Sequence, residues 1–168
     1  QCSGTLMNDM ASSGTPYLLT ARHCIADQAA AATLTTDWLL RASACGSSTP
    51  TAERAQRTGG ATVLYTNPGT DTTLLRLNDM PPVGVVYAGS YFGANVIAGT
   101  AISDVHHPEG DLQRVSLGTV TGYSNCTSNL CVNEDRSLAR FYSVRWQQGV
   151  VEPGSSGSGA FTAIGARR

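Results

Sequence analysis

The run Glu152-Pro153-Gly154-Ser155-Ser156-Gly157-Ser158-Gly159 sets three hydroxyls among glycines. A serine nucleophile needs a sharp turn that leaves its oxygen uncrowded, with N–H donors aimed where the attacked carbonyl will place its charge. Ser156 suits this best, because Gly154 stands two residues before it and Gly157 directly after. The amides of Gly154 and Ser156 can then converge on one point as an oxyanion hole. Ser155 and Ser158 are the competing hydroxyls. A serine also needs a base, and the chain has three histidines. His23 follows the apolar run Tyr17-Leu18-Leu19-Thr20-Ala21 and is followed at once by Cys24. That places an imidazole at a strand end beside an anchoring residue, as a positioned general base requires. Asp71 immediately precedes the apolar run Thr72–Leu77. A carboxylate there is partly buried and must find donors, and an imidazole N–H would serve.

Taken singly, each signal has an ordinary reading. Gly/Ser runs are flexible loops, a lone histidine is often half-buried without chemical work, and an aspartate ahead of a strand can close an Asx-turn. Together they stand in the order His23, Asp71, Ser156, which is a base, its orienter and a nucleophile. The Gly-x-Ser-x-Gly elbow of the α/β-hydrolases does not fit, because position 158 is serine and no histidine follows Ser156. Asp79 and Asp104 are less attractive acids, each lying among turn residues.

Short β-branched and apolar runs between Gly, Pro, Asn, Asp and Ser supply the scaffold. They predict strands over 4–7, 17–21, 33–42, 61–66, 72–77, 83–88, 96–102, 114–121, 141–146 and 159–164. Only 27–32 has helical character, and 45–60 reads as a polar surface loop. Many short strands without alternating helices predict an all-β barrel or sandwich. Pro81-Pro82 cannot lie inside a central strand and marks the end of a first half.

With 168 residues, 41% hydrophobic content, 14% charged residues and net charge −1, the chain can bury a core but offers no basic field for nucleic acid. Its apolar runs fall short of the roughly 18 residues that cross a bilayer. All eleven basic residues are Arg. That is read as compositional bias in preference to a lack of cut sites for a Lys-specific protease. Five cysteines point to an oxidising compartment. Cys126 and Cys131 bracket a short loop, Cys2 and Cys24 end two segments able to pair, and Cys45 is left over. No Cys-x-x-Cys occurs, and no metal is expected.

These residues resemble the chymotrypsin-like (trypsin-like) serine proteases, in particular the secreted bacterial lysyl-endopeptidase-type group. The matching segments are Cys2-Ser3-Gly4-Thr5-Leu6, Tyr17 to Cys24, Thr70 to Leu77, His106-His107-Pro108, Val144-Arg145-Trp146-Gln147 and Glu152 to Ser158. The order of base, acid and nucleophile is the chymotrypsin order. The resemblance implies two six-stranded antiparallel barrels with the site between them: the first over 1–80, a connection over 81–93, and the second, incomplete, over 94–168. It implies general base and acid for His23, orienter for Asp71, nucleophile for Ser156, and an oxyanion hole from Gly154 and Ser156. It further implies a Cys2–Cys24 bridge, a partner for Cys45 upstream of Gln1, a structural role for His106 and His107, and no cofactor.

Three positions depart from the pattern. Gly159 stands where the group has Pro, Ser155 replaces the Asp that precedes the serine in trypsin-like enzymes, and Val150 occupies the place of trypsin's specificity carboxylate. Further strands are expected after Arg168 to finish the second barrel and wall the specificity pocket, so the chain reads as an internal piece of a longer secreted protease, with Ala166-Arg167-Arg168 suiting cleavage after Arg. The expected function is endopeptidase cleavage, after Lys or Arg by resemblance. The alternative is a protease-fold binding protein with little activity.

Overall fold

The computed structural model describes residues 1–127 and 130–162. Alternating burial organises its strands, as a half-buried sheet requires. In chain order the first half contains β1 (Thr5–Met7), β2 (Tyr17–Ala21), the short helix α1 (Gln28–Ala32), β3 (Thr36–Trp38), β4 (Ala55–Arg57), β5 (Ala61–Asn67) and β6 (Thr72–Leu77). The second half contains β7 (Ala101–His106), β8 (Arg114–Cys126), β9 (Cys131–Asn133), β10 (Phe141–Gln148) and β11 (Gly159–Thr162).

The first half forms an antiparallel sheet in the order β1-β2-β6-β5 and a separate β3-β4 pair. On β6, Thr73, Leu75 and Leu77 turn inward while their neighbours turn out. Leu75 meets Leu18 from β2, Ala61 from β5 and Ala31 from α1, with Ile25, Leu34, Trp38 and Val63 packed around them. The helix starts where the Asp27 side chain accepts the Ala30 N–H at 2.9 Å, satisfying one of its open donors. The second half forms one sheet in the order β10-β8-β7-β11, with β9 folded back on β8. All its pairings are antiparallel. The chain is thus all-β, and among the described residues the sheets do not close into barrels.

The expected strands 17–21 and 72–77 agree to the residue. Elsewhere the structure corrects the sequence. The run 33–42 is strand only at Thr36–Trp38, because Leu39 takes a positive φ of 54° and breaks the ladder. The run 83–88 is not a strand: Val83 is 99% exposed, and only Ala88 pairs, through a parallel bridge to Met7. Pro81-Pro82 ahead of it has no N–H to give a ladder. The strand placed at 96–102 begins at Ala101 and continues to His106, which puts Asp104 on a strand and not in a turn. The polar 45–60 segment contains β4, held to β3 partly by Arg54 on Asp37. Strand β8 runs five residues past the expected end at 121, into a hairpin with β9 that the sequence did not suggest. Of the run 159–164, residues 163 and 164 lie outside the described residues, as does the 166–168 end.

Leu75 is fully buried at the centre of the first-half core. Leu75→Ala is expected to cost about 2–5 kcal/mol by denaturant unfolding; a loss below about 1 kcal/mol would mean that this core does not carry the first half.

Candidate active site

The β5–β6 turn and the end of β2 bring two of the predicted site residues together. Adjacent pairing of β2 and β6, with Ala21 opposite Thr72, sets the residues after Ala21 beside those before Thr72. The Arg22 N–H donates to the Asp71 carbonyl at 2.9 Å, fixing one chain against the other. The Asp71 carboxylate then accepts twice from His23: the backbone N–H reaches Oδ1 at 2.9 Å, and ring Nδ1 lies 2.6 Å from Oδ2. A carboxylate can only accept, so Nδ1 carries the proton and Nε2 is left as the basic nitrogen. Asp71 reaches this geometry with φ at 48°, a left-handed backbone that costs a non-glycine residue of order 1–3 kcal/mol. Both side chains remain accessible, at 57% for His23 and 43% for Asp71.

The serine turn is seated by a residue that sequence reasoning passed over. Buried Ser3 donates its N–H to the Ser156 carbonyl and its hydroxyl to the Gly154 carbonyl, each at 2.8 Å. The Ser3 hydroxyl in turn accepts the His107 N–H at 2.9 Å, and its carbonyl accepts the Thr20 hydroxyl at 2.8 Å. One serine near the start of the chain therefore joins β2, the turn after β7 and the Gly154–Gly157 serine turn. Its neighbour Cys2 is bonded to Cys24, which follows His23, so the seat of the serine turn is covalently linked to the segment carrying the imidazole.

Two glycines make the seat possible. Gly154 has φ at 97°, and a Cβ there would come within 2.8 Å of the His107 carbonyl oxygen. Gly157 has φ at 86°, and a Cβ there would strike the Ser3 carbonyl and the Thr20 hydroxyl. The Ser155 N–H is taken by the Glu152 carbonyl and the Ser158 N–H by the Ser155 carbonyl. Among the described residues, the Gly154 and Ser156 N–H groups donate to no protein acceptor. The turn lines an open concavity through Val151, Glu152, Pro153, Ser155, Ser156, Gly157 and Ser158. No hydrogen bond joins the His23 ring to the Ser156 hydroxyl among the described residues. Such contacts commonly tighten only when substrate is bound.

The second disulfide, Cys126–Cys131, closes the β8–β9 hairpin, and Cys45 is an exposed thiol. The sulfurs of Cys2 and Cys24 lie near His23, but they are bonded to each other and offer no thiolate to a metal. Asp104, set aside on sequence grounds, is buried on β7. Burial pushes its carboxyl above the ordinary 3.8, and the Ser158 hydroxyl and the Val105 N–H offset only part of that rise.

Comparison with known proteins then decides the family. The chain is 38% identical over 167 residues to a protein named lysyl endopeptidase from Pseudomonas aeruginosa, covering 98% of this chain and 34% of that protein. Residues 1–168 match the family described as lysyl endopeptidase, C-terminal domain. The chain belongs to that family. It spans about a third of the length of the relative. Among solved structures, the HtrA-type protease AlgW, determined with a tripeptide, has a TM-score of 0.57 at 18% identity, covering 98% of this chain and 43% of that one. Deg5 has a TM-score of 0.56 at 14% identity, covering 97% and 69%. These likenesses show the fold: the chain has the chymotrypsin-like all-β architecture, and among the described residues its sheets do not close into barrels.

Asp104 gives the domain a pH-dependent stability. Below pH 3.8 its carboxyl is protonated in both folded and unfolded chains. As pH rises through the raised folded value, the unfolded chain ionises freely and the buried group resists, so stability falls. Asp104→Asn removes the burden. Its Tm relative to the parent is expected to be higher at pH 7 than at pH 4, and an equal or larger gain at pH 4 would contradict the assignment.

Proposed function

We propose that this chain carries the catalytic apparatus of a secreted bacterial serine endopeptidase that cleaves after a basic residue, Lys or Arg. His23 is the base, Asp71 its orienter, Ser156 the nucleophile, and the Gly154 and Ser156 amides the oxyanion hole. The observation that carries the reading is the doubly hydrogen-bonded His23–Asp71 pair at the end of β2, linked through Cys24–Cys2 and Ser3 to a glycine-framed serine turn. Family membership supports proteolysis, and the name of the Pseudomonas relative supports a basic side chain at the cleaved bond. Two disulfides suit an oxidising compartment outside the cytoplasm.

The mechanism follows from the proton inventory. Asp71 holds the His23 Nδ1–H, so Nε2 takes the Ser156 proton as Oγ bonds to the substrate carbonyl carbon. The carbonyl oxygen becomes an anion and receives the Gly154 and Ser156 N–H groups. When the C–N bond breaks, the Nε2 proton leaves with the amine and an ester to Ser156 remains. Water then adds with its proton passing to Nε2, and the second collapse releases the acid and restores the Ser156 hydroxyl. No step requires a cofactor or a metal.

In the full-length protein, Ser156→Ala is expected to lower kcat on a peptide amide by about four or more orders of magnitude, and Asp71→Asn by about 10⁴ through the wrong imidazole tautomer. Near-parental turnover in Ser156→Ala, with loss of activity in Ser158→Ala, would reassign the nucleophile.

A further inference from the structure

A second histidine-centred arrangement, around His106, contacts the serine turn and is not used by the proposed chemistry. His106 ends β7 and is fully buried. Both its ring nitrogens are engaged: Nδ1 with the Ser155 hydroxyl at 2.7 Å and Nε2 with the Ser116 hydroxyl at 3.0 Å. Both serines are themselves buried. The Ser116 hydroxyl donates to the Val150 carbonyl at 3.1 Å, so it must accept from Nε2–H. The Ser155 hydroxyl accepts the Glu152 N–H at 3.1 Å and has its own hydrogen left for unprotonated Nδ1. Donors and acceptors thus match one to one around a single imidazole tautomer.

The consequence is geometric. The segment from Val150 to Ser155 is clipped at both ends to one ring, at Val150 through Ser116 and at Glu152 and Ser155 through the Ser155 hydroxyl. Gly149 just ahead of it lacks a Cβ that would strike the Ser116 hydroxyl. Ser155 is peptide-bonded to Ser156, and its own amide plane helps set where the Gly154 and Ser156 N–H groups point. Ser3 holds the turn from the first half, and His106 holds it from the second.

We infer that His106 is a positioning residue for catalysis: through Ser155 it sets the direction of the Ser156 hydroxyl and of the two oxyanion amides. The inference rests on Ser156 as nucleophile.

The test uses the full-length protein with Ser155→Ala, His106→Asn and the double variant, measured per active site titrated with a fluorophosphonate. Each single variant is expected to lower kcat per titrated site by about 10- to 100-fold with KM changed less than about twofold, as a small misplacement of reacting groups does. The double variant is expected to lose no more than the worse single one, because both cut the same contact. A fall in the titratable fraction with unchanged kcat per site would show a purely structural histidine and overturn the inference, as would additive losses. Ser156→Ala serves as the separate control: titration and turnover surviving in that variant would remove the nucleophile assignment itself, whatever His106 does.

Discussion

The arrangement depends on the seating of one serine turn against Ser3. Two hydrogen bonds from this buried residue take the Ser156 and Gly154 carbonyls, and a third contact brings in the His107 amide. Each such bond adds only about 0.5–1.5 kcal/mol net, but leaving a buried partner unsatisfied costs about 1–3 kcal/mol. The turn therefore has few alternative positions. Ser3 itself is held by the Cys2–Cys24 bridge and by Thr20 on β2. A displacement of the serine turn would have to move the strand end that carries the imidazole.

Left-handed backbone occurs at the same place. Asp71, Gly154 and Gly157 all have positive φ, and the close approaches at both glycines exclude any side chain. The left-handed Asp71 backbone persists only where surrounding contacts over-determine it. Here the contacts are the Arg22–Asp71 and Ser3–Ser156 backbone bonds and the Ser155–His106 bond. The exposed His23–Asp71 pair is then the part of the site left accessible to a substrate, while the groups that fix its surroundings are buried. This division suits a site in which bound substrate completes the exclusion of water.

The three residues proposed to carry the chemistry stand out in the sequence because each sits in a local pattern: an imidazole at the end of an apolar strand, a carboxylate ahead of another, a hydroxyl between glycines. Both strands flanking the His23–Asp71 pair were legible for the same reason, since each is a continuous apolar run with buried alternate residues. Ser3, Ser116 and His106 were not, because their partners are distant: Ser3 and Gly154 lie 151 positions apart, and His106 and Ser155 lie 49 apart. No local signal marks a serine as a hydrogen-bond hub. The run 83–88 failed for the opposite reason, having β-branched residues but no neighbouring strand to bury them. Asp104 was misjudged because its strand was placed several residues early, which left a buried carboxylate looking like a turn residue.

The central claim is that Ser156, alone among the clustered hydroxyls, is activated by His23. Its most direct measurement is the site of covalent attachment of a fluorophosphonate in the full-length protein, mapped by peptide mass spectrometry. The account predicts a single adduct on Ser156, formed at a rate that falls steeply in His23→Ala. An adduct on Ser155 or Ser158, or labelling of Ser156 at an undiminished rate without the His23 imidazole, would contradict it.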